Sequence, residues 1–260
     1  MKKPPPPRIV RRPVDGVLLL DKPVGVSSNT ALQHARRLYR AEKAGHTGTL
    51  DPLASGLLPL CFGEATKFSQ FLLDARKRYT ATIRFGTTTT TGDSEGDVKA
   101  TRPVAVTADA LAATLARFTG RIEQTPPAYS ALKFEGRPHY EYARAGQDVP
   151  RVPRAIEIFA LRLLSWTSPD AAVDVECSKG TYVRVLAEDI GEALGCGAHL
   201  AALRRTATGG FTVDDAVNFE ALEADPDAAR DARLLPPAAL VGALPRVEVD
   251  PAAAARFRQG

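Results

Sequence analysis

Among the acids of this 260-residue chain, Asp51 stands apart by its setting. It lies in Gly45-His46-Thr47-Gly48-Thr49-Leu50-Asp51-Pro52-Leu53-Ala54-Ser55-Gly56. Glycines there allow a ligand or another backbone to come close, and Pro52 biases the residue before it away from helix. The pattern suits a fixed, reachable carboxylate. Read alone, an Asp-Pro is by default a turn cap, and the surrounding glycines weigh against that default here. A second constellation, Cys177-Ser178-Lys179-Gly180-Thr181-Tyr182-Val183-Arg184, sets an aromatic and a guanidinium just past a Gly180 turn, from which both could enter one cleft. Taken separately, Tyr182 suits a core and Arg184 a surface, and Tyr79, after Arg76-Lys77-Arg78, is by default a core aromatic.

Other chemistries find little support. His34, His46, His139 and His199 show no H-x-x-x-H spacing, and neither the P-loop nor the dinucleotide glycine pattern occurs. Cys61, Cys177 and Cys196 are odd in number, far apart and never C-x-x-C, so they read as buried free thiols rather than a disulfide framework or zinc site. No metal or organic cofactor is implied.

The elements that must hold these residues follow from periodicity. Val17 to Leu20 is an apolar run of strand length that ends at Asp21-Lys22-Pro23. Ser27-Ser28 then caps a helix over about 29–41, in which Ala31, Leu32, Ala35, Leu38 and Tyr39 share a buried face and leave Arg36, Arg37 and Arg40 on the other side, where they can face a polyanion. The glycine-rich loop leads into a buried strand over 57–62, and strict alternation predicts another over 78–85. A polar threonine loop with Gly92, Asp93 and Glu95 comes next. Helices over 108–118 and 182–194 and strands over 120–124, 156–166 and 171–177 complete the pattern, with a further strand beginning at Arg246 to Val249. Strands outnumber helices and several neighbours lack helical crossovers. The fold class is therefore α+β, with a mixed, mainly antiparallel sheet flanked by helices and loops.

Composition bounds the class. With 44% apolar and 25% charged residues the chain is globular, and its apolar runs are far shorter than the roughly 18 to 20 residues of a membrane span. Residues 1–14 carry Lys2, Lys3, Arg8, Arg11 and Arg12, four consecutive prolines and no acid; they read as a mobile basic tail without the features of a secretory signal, which suits a cytoplasmic protein. That tail accounts for the formal charge of +4, so global charge does not argue for nucleic acid. Local clusters remain: Arg36, Arg37 and Arg40; Arg76, Lys77 and Arg78; Arg204 and Arg205. Each suits phosphates, and each equally suits a solvated face.

The motifs converge on one resemblance. Gly16-Val-Leu-Leu-Leu-Asp-Lys-Pro, Ala44-Gly-His-Thr-Gly-Thr-Leu-Asp-Pro-Leu-Ala-Ser-Gly, Gly63-Glu-Ala-Thr-Lys-Phe-Ser-Gln, Tyr129-Ser-Ala-Leu-Lys, Cys177-Ser-Lys-Gly-Thr-Tyr-Val-Arg and Gly195-Cys-Gly-Ala-His-Leu, in that order, resemble the TruB-type tRNA pseudouridine-55 synthases. The likeness runs from about Gly16 to Val213. It implies the pseudouridine synthase fold and the isomerisation of uridine 55 in the tRNA T-loop, without metal or cofactor, by a monomer needing no protein partner. It further implies Asp51 as the catalytic aspartate, Arg184 as its partner and Tyr79 as the tyrosine that stacks on uracil. Tyr182 would be a second pocket aromatic and His46 a contact to the T-loop around the everted nucleotide. Lys22, Lys133 and Leu203 match further positions along the active site or RNA path.

Two departures accompany the likeness. Many relatives read Thr-Asp-Thr-x-Asp where this chain has Thr89-Thr90-Thr91-Gly92-Asp93, so only Asp93 remains of two acids. Bacterial members also continue into a small C-terminal PUA domain, so the expected organisation is a tail over 1–14, a catalytic domain over 15–245 and, over 246–260, the start of a truncated or missing PUA domain. The alternative from another class is a non-catalytic RNA-binding or tRNA-folding protein of the same fold; intact Asp51, Tyr79 and Arg184 count against it. A guide-dependent relative is disfavoured by the compact chain.

Overall fold

A computed structural model describes residues 10–259. Its strands are β1 (Gly16–Lys22), β2 (Ala44–His46), β3 (Ala54–Phe62), β4 (Lys77–Phe85), β5 (Thr87–Thr89), β6 (Val98–Thr101), β7 (Gly120–Gln124), β8 (Lys133–Phe134), β9 (Arg137–Pro138), β10 (Arg154–Thr167), β11 (Asp170–Cys177), β12 (Ala198–Thr208) and β13 (Phe211–Thr212). Nine of them form one sheet in the order β1-β3-β12-β4-β11-β10-β7, with β2 beside β3 and β13 beside β12. Every pairing in it is antiparallel except β12 with β3. The α+β reading with a mixed, mainly antiparallel sheet is correct.

The main core lies on one face of the sheet, against three helices: α1 (Ser28–Leu38), α3 (Ala108–Arg117) and α5 (Val183–Ala193); between the first two in sequence lies the short α2 (Ser69–Asp74). Ala31, Leu32 and Ala35 of α1, Leu111 and Leu115 of α3, and Leu186, Ala187 and Ile190 of α5 meet Tyr79, Ala81, Ile83 and Phe85 of β4 in that core. On β1, Leu18 and Leu20 face it, whereas Val17 and Leu19 face a second cluster with Leu57, Cys61, Leu72 and Leu240. Apolar cover on both faces explains why β1 reads as an unbroken apolar run while β4 alternates. Ser27 caps α1 by accepting a hydrogen bond from the Thr30 amide. The three cysteines are buried and unpaired. No described helix is long and apolar enough to cross a membrane.

Several expectations need correcting. Residues 1–9 of the supposed tail lie outside the described residues, but its last part is fastened: Arg11 donates to the Ala41 carbonyl, Arg12 forms a two-point pair with Asp231 at 2.7 and 2.5 Å, and Val14 is buried. The threonine loop contains the β5–β6 hairpin. Arg246 to Val249 forms no strand and runs unpaired into a C-terminal helix over Pro251–Gln259.

Most residues of the basic clusters are engaged within the protein, although Arg37, Arg40, Arg76 and Arg78 are exposed. Arg36 donates to the carbonyls of Ala41 and Glu42, Arg40 pairs with Asp227, and Lys77 donates to three carbonyls at the end of α2. Arg78 and Arg204 pair with Asp174 and Asp21, and Arg205 is 1% exposed. The absence of acids beside these residues in sequence concealed partners that the sheet brings from far along the chain.

The largest omission from the sequence reading is β12, the strand that joins the β1–β3 edge to β4. Its parallel seam with β3 needs Gly56: a Cβ there would lie 2.3 Å from the Arg205 carbonyl oxygen, and φ is +101°. Gly25, with φ of +82° but nothing within 4 Å of a Cβ, has only the backbone requirement. Gly56→Ala is therefore expected to lower the unfolding free energy by about 3 kcal/mol and Gly25→Ala by about 1 kcal/mol, both read from urea unfolding. Equal effects would contradict the close approach at the seam.

Candidate active site

His46 of β2, Lys77 and Tyr79 of β4, and Leu203 and Arg205 of β12 meet the loop bearing Asp51 and the start of α5 at one cleft of about 1050 Å³, which Asp93, Tyr182 and Arg184 also line. The loop bearing Asp51 is pinned from several sides. The Ser28 hydroxyl donates to the Leu50 carbonyl at 2.9 Å and accepts from the Leu50 amide at 2.7 Å. The Gly25 amide donates to the Pro52 carbonyl, and the Ala54 amide to that of Asp51 itself. Arg205 reaches the Gly48 carbonyl at 3.4 Å and the Leu57 carbonyl at 2.7 Å. A loop of glycines and threonines thereby holds a fixed carboxylate whose side chain remains 43% exposed toward the cleft.

Behind that carboxylate lies Arg184, its side chain 6% exposed, with Nη2 3.0 Å from Asp51 Oδ2. The same guanidinium donates to the carbonyls of Thr91 and Tyr129, each at 2.9 Å, and its Nε lies 3.4 Å from Asp93 Oδ2, an ion contact without hydrogen-bond alignment. Asp93 is 4% exposed at its side chain and accepts from the Thr91 hydroxyl and the Glu95 amide. A buried guanidinium is tolerable because two carboxylates and two carbonyls replace its water. Asp93 borders the cleft with its carboxylate turned onto Arg184, so it positions the arginine.

Tyr79, on β4, is 8% exposed and forms part of the cleft wall beside Arg205. Burial raises its hydroxyl pKa and the guanidinium of Arg205 partly offsets this, so the phenol stays protonated at neutral pH. Leu203 adds apolar wall from β12. Tyr182 precedes α5, and its backbone is clamped by the Gln124 side chain, which accepts from the Tyr182 amide at 2.8 Å and donates to its carbonyl at 3.1 Å. His46 lies at the cleft with its Nδ1 buried and without a partner among the described residues. Burial lowers its pKa, and Arg205 lowers it further, so the imidazole is neutral.

Two expected residues do not reach the cleft. Lys22 is fully buried beneath it, donating to the carbonyls of Pro23 and Val26 at 2.8 and 2.6 Å, with burial lowering its pKa to about 8 against the pull of Asp51. It stiffens the turn after β1. Lys133 is exposed on β8, outside the cleft lining. Sequence reasoning missed three contributors: Ser28, Arg205 and Gln124. Arg205 lies two residues beyond Leu203 on β12, a period that marks one strand face once the strand is known. Gln124 carries no comparable signal.

The sheet and its cleft define an enzyme scaffold in which one cleft-exposed acid is held by a buried cation. A family model for TruB family pseudouridylate synthase (N terminal domain) matches residues 36–183, and one for the tRNA pseudouridylate synthase B C-terminal domain matches 184–241. The protein named tRNA pseudouridine synthase B from Burkholderia mallei (strain ATCC 23344) is 63% identical over 256 residues, 98% of this chain and 82% of that one. Its namesake from Cupriavidus metallidurans is 62% identical over 257 residues, again 98% and 82%. Among solved structures, a chain of a Cbf5-Nop10-Gar1 complex superposes with a TM-score of 0.74 at 30% identity, covering 94% of this chain and 67% of that chain. The chain belongs to the TruB family of pseudouridylate synthases, enzymes that isomerise uridine to pseudouridine.

Arg184→Met leaves Asp93 buried without its cation and is expected to lower the unfolding free energy by about 3 kcal/mol in urea unfolding. Asp93→Asn in the same background should restore part of the loss; a further loss instead would contradict the pairing. For His46, the unfolded chain takes up a proton near the ordinary value of 6.5 and the folded chain does so only at lower pH. Stability attributable to this group is thus intact above that value and declines as pH falls through it. His46→Gln should flatten the decline in urea stability between about pH 7 and pH 5, and an unchanged slope would contradict the neutral, buried imidazole.

Proposed function

We propose that this protein isomerises uridine 55 in the T-loop of tRNA to pseudouridine, with Asp51 as the catalytic carboxylate. The observation that carries the reading is the geometry of one acid: open to a cleft of nucleotide size on one side, held 3.0 Å from a buried guanidinium on the other. The named relatives are tRNA pseudouridine synthases B, which supports tRNA as the substrate.

In the reaction the C1′–N1 bond breaks, uracil turns, and C1′ joins C5, while the proton on C5 is lost and one is gained at N1. C1′ becomes electron-poor as uracil departs, and the Asp51 carboxylate lies where it can meet the ribose. Uracil leaves as a delocalised anion, so a second carboxylate to protonate the leaving group, as glycosidases use, is not required. Arg184 orients the Asp51 carboxylate toward the cleft. The Tyr79 ring offers a flat surface over which a detached base can turn, and Leu203 completes an apolar wall. Tyr182 and His46 hold the surroundings of an everted nucleotide, whose unstacking costs a few kcal/mol.

Asp51→Asn tests the reading. The variant should form no pseudouridine in a T-arm stem-loop RNA, as read by carbodiimide mapping or mass spectrometry. Its RNA affinity should stay within about threefold of wild type, because the partly exposed carboxylate contributes little to phosphate binding. Turnover retained in this variant refutes the assignment.

A further inference from the structure

Five cationic side chains line the cleft against three carboxylates: Lys77, Arg144, Arg154, Arg184 and Arg205 face Asp51, Asp93 and Glu95. Three of the cations are engaged. Lys77 donates to carbonyls of the α2 end, Arg205 to those of Gly48 and Leu57, and Arg184 to two carbonyls and two carboxylates. Arg144 and Arg154 remain. Among the described residues neither has a carboxylate within ion-pair distance.

Both are nevertheless organised. The Arg154 guanidinium lies 5.2 Å from the centre of the Tyr182 ring, and that of Arg144 lies 5.4 Å from the Tyr140 ring, inside the range of cation–π attraction. Arg154 also donates through Nη2 to the Gly180 carbonyl. A Cβ at Gly180 would come within 3.3 Å of its Cζ, so the glycine of the turn leaves room for the guanidinium to lie flat. Its Nη1 has no acceptor among the described residues, and its Nε is buried without one. A guanidinium fixed in a fork, lacking an anion, and beside the aromatic at the cleft mouth is built for a phosphodiester.

We propose that Arg154, laid on Tyr182, binds a backbone phosphate next to the everted nucleotide. Arg144 on Tyr140 adds a second cation to the same cleft. The assignment rests on the RNA-modifying function proposed above and adds how the substrate strand is gripped.

The test uses the full chain and a T-arm stem-loop RNA. Arg154→Met should weaken binding about tenfold at 0.1 M salt and make the plot of log affinity against log salt shallower by about 0.7 to 0.9, the value of one phosphate contact. Arg154→Lys, which keeps the charge, should retain the wild-type slope. Single methylphosphonate linkages on either side of the target uridine then locate the contact. At one linkage, neutralisation should weaken wild-type binding by about the factor lost in Arg154→Met and leave that variant unaffected.

An unchanged slope in Arg154→Met, or no linkage that distinguishes it from wild type, overturns the proposal. Should Arg154→Met fail to fold, as judged by thermal unfolding, the linkage series on wild type and Arg154→Lys decides: a shared sensitive linkage supports the contact, and its absence overturns it. Pseudouridine formation by wild type is measured in the same samples. Its absence would count against the proposed function, whereas the salt slope and the neutralised linkage judge the phosphate contact independently.

Discussion

The site depends on a guanidinium removed from water. Arg184 is buried and always charged, so the surrounding chain must supply its counter-charges and acceptors. It does so from three separated segments: Asp51 in the β2–β3 loop, Thr91 and Asp93 in the β5–β6 hairpin, and Tyr129 beyond β7. Each of these segments is thereby fixed relative to the start of α5. Only Asp51 among the partners has a carboxylate substantially exposed to the cleft, and the role proposed for it rests on that asymmetry.

A second buried guanidinium organises the same loop from the opposite direction. Arg205 sits in β12 opposite Gly56 of β3 and Tyr79 of β4, and its side chain reaches the carbonyls of Leu57 and Gly48. One residue thus joins the strand that carries the aromatic wall to the loop that carries the acid. Its charge also suppresses protonation of His46 and favours the ionised side of Tyr79, while burial keeps that phenol protonated. Tyr79 and His46 are consequently uncharged walls in a cleft that also holds the Asp51–Arg184 pair.

The basic residues divide by location. Those in sequence clusters mostly satisfy backbone carbonyls or acids within the protein, as Arg36, Arg40, Lys77, Arg78 and Arg204 do. Within the cleft, the two cations proposed for an anionic ligand, Arg144 and Arg154, are isolated in sequence, and each rests on a tyrosine. Charge runs along a chain therefore say little about where phosphates dock; what decides is whether the fold brings an acid to each cation.

The sequence by itself determined the local elements whose cause is local. β1 and β3 were legible as apolar runs, β4 as an alternation, α1 by its Ser27 cap and helical stripe, and α5 by the Gly180 turn before it. Asp51, Tyr79, Tyr182 and Arg184 were legible because their motifs are contiguous. Tertiary structure alone decided β12, whose Arg204-Arg205 pair breaks the apolar pattern until Asp21 and the Gly48 and Leu57 carbonyls are there to receive it. It also decided that Lys22 is buried, that Lys133 lies outside the cleft and that the Asp93 carboxylate turns onto Arg184. Periodicity reports only the balance between water and an apolar face, whereas a buried charge is stable or not according to partners a hundred residues away, which no local pattern encodes.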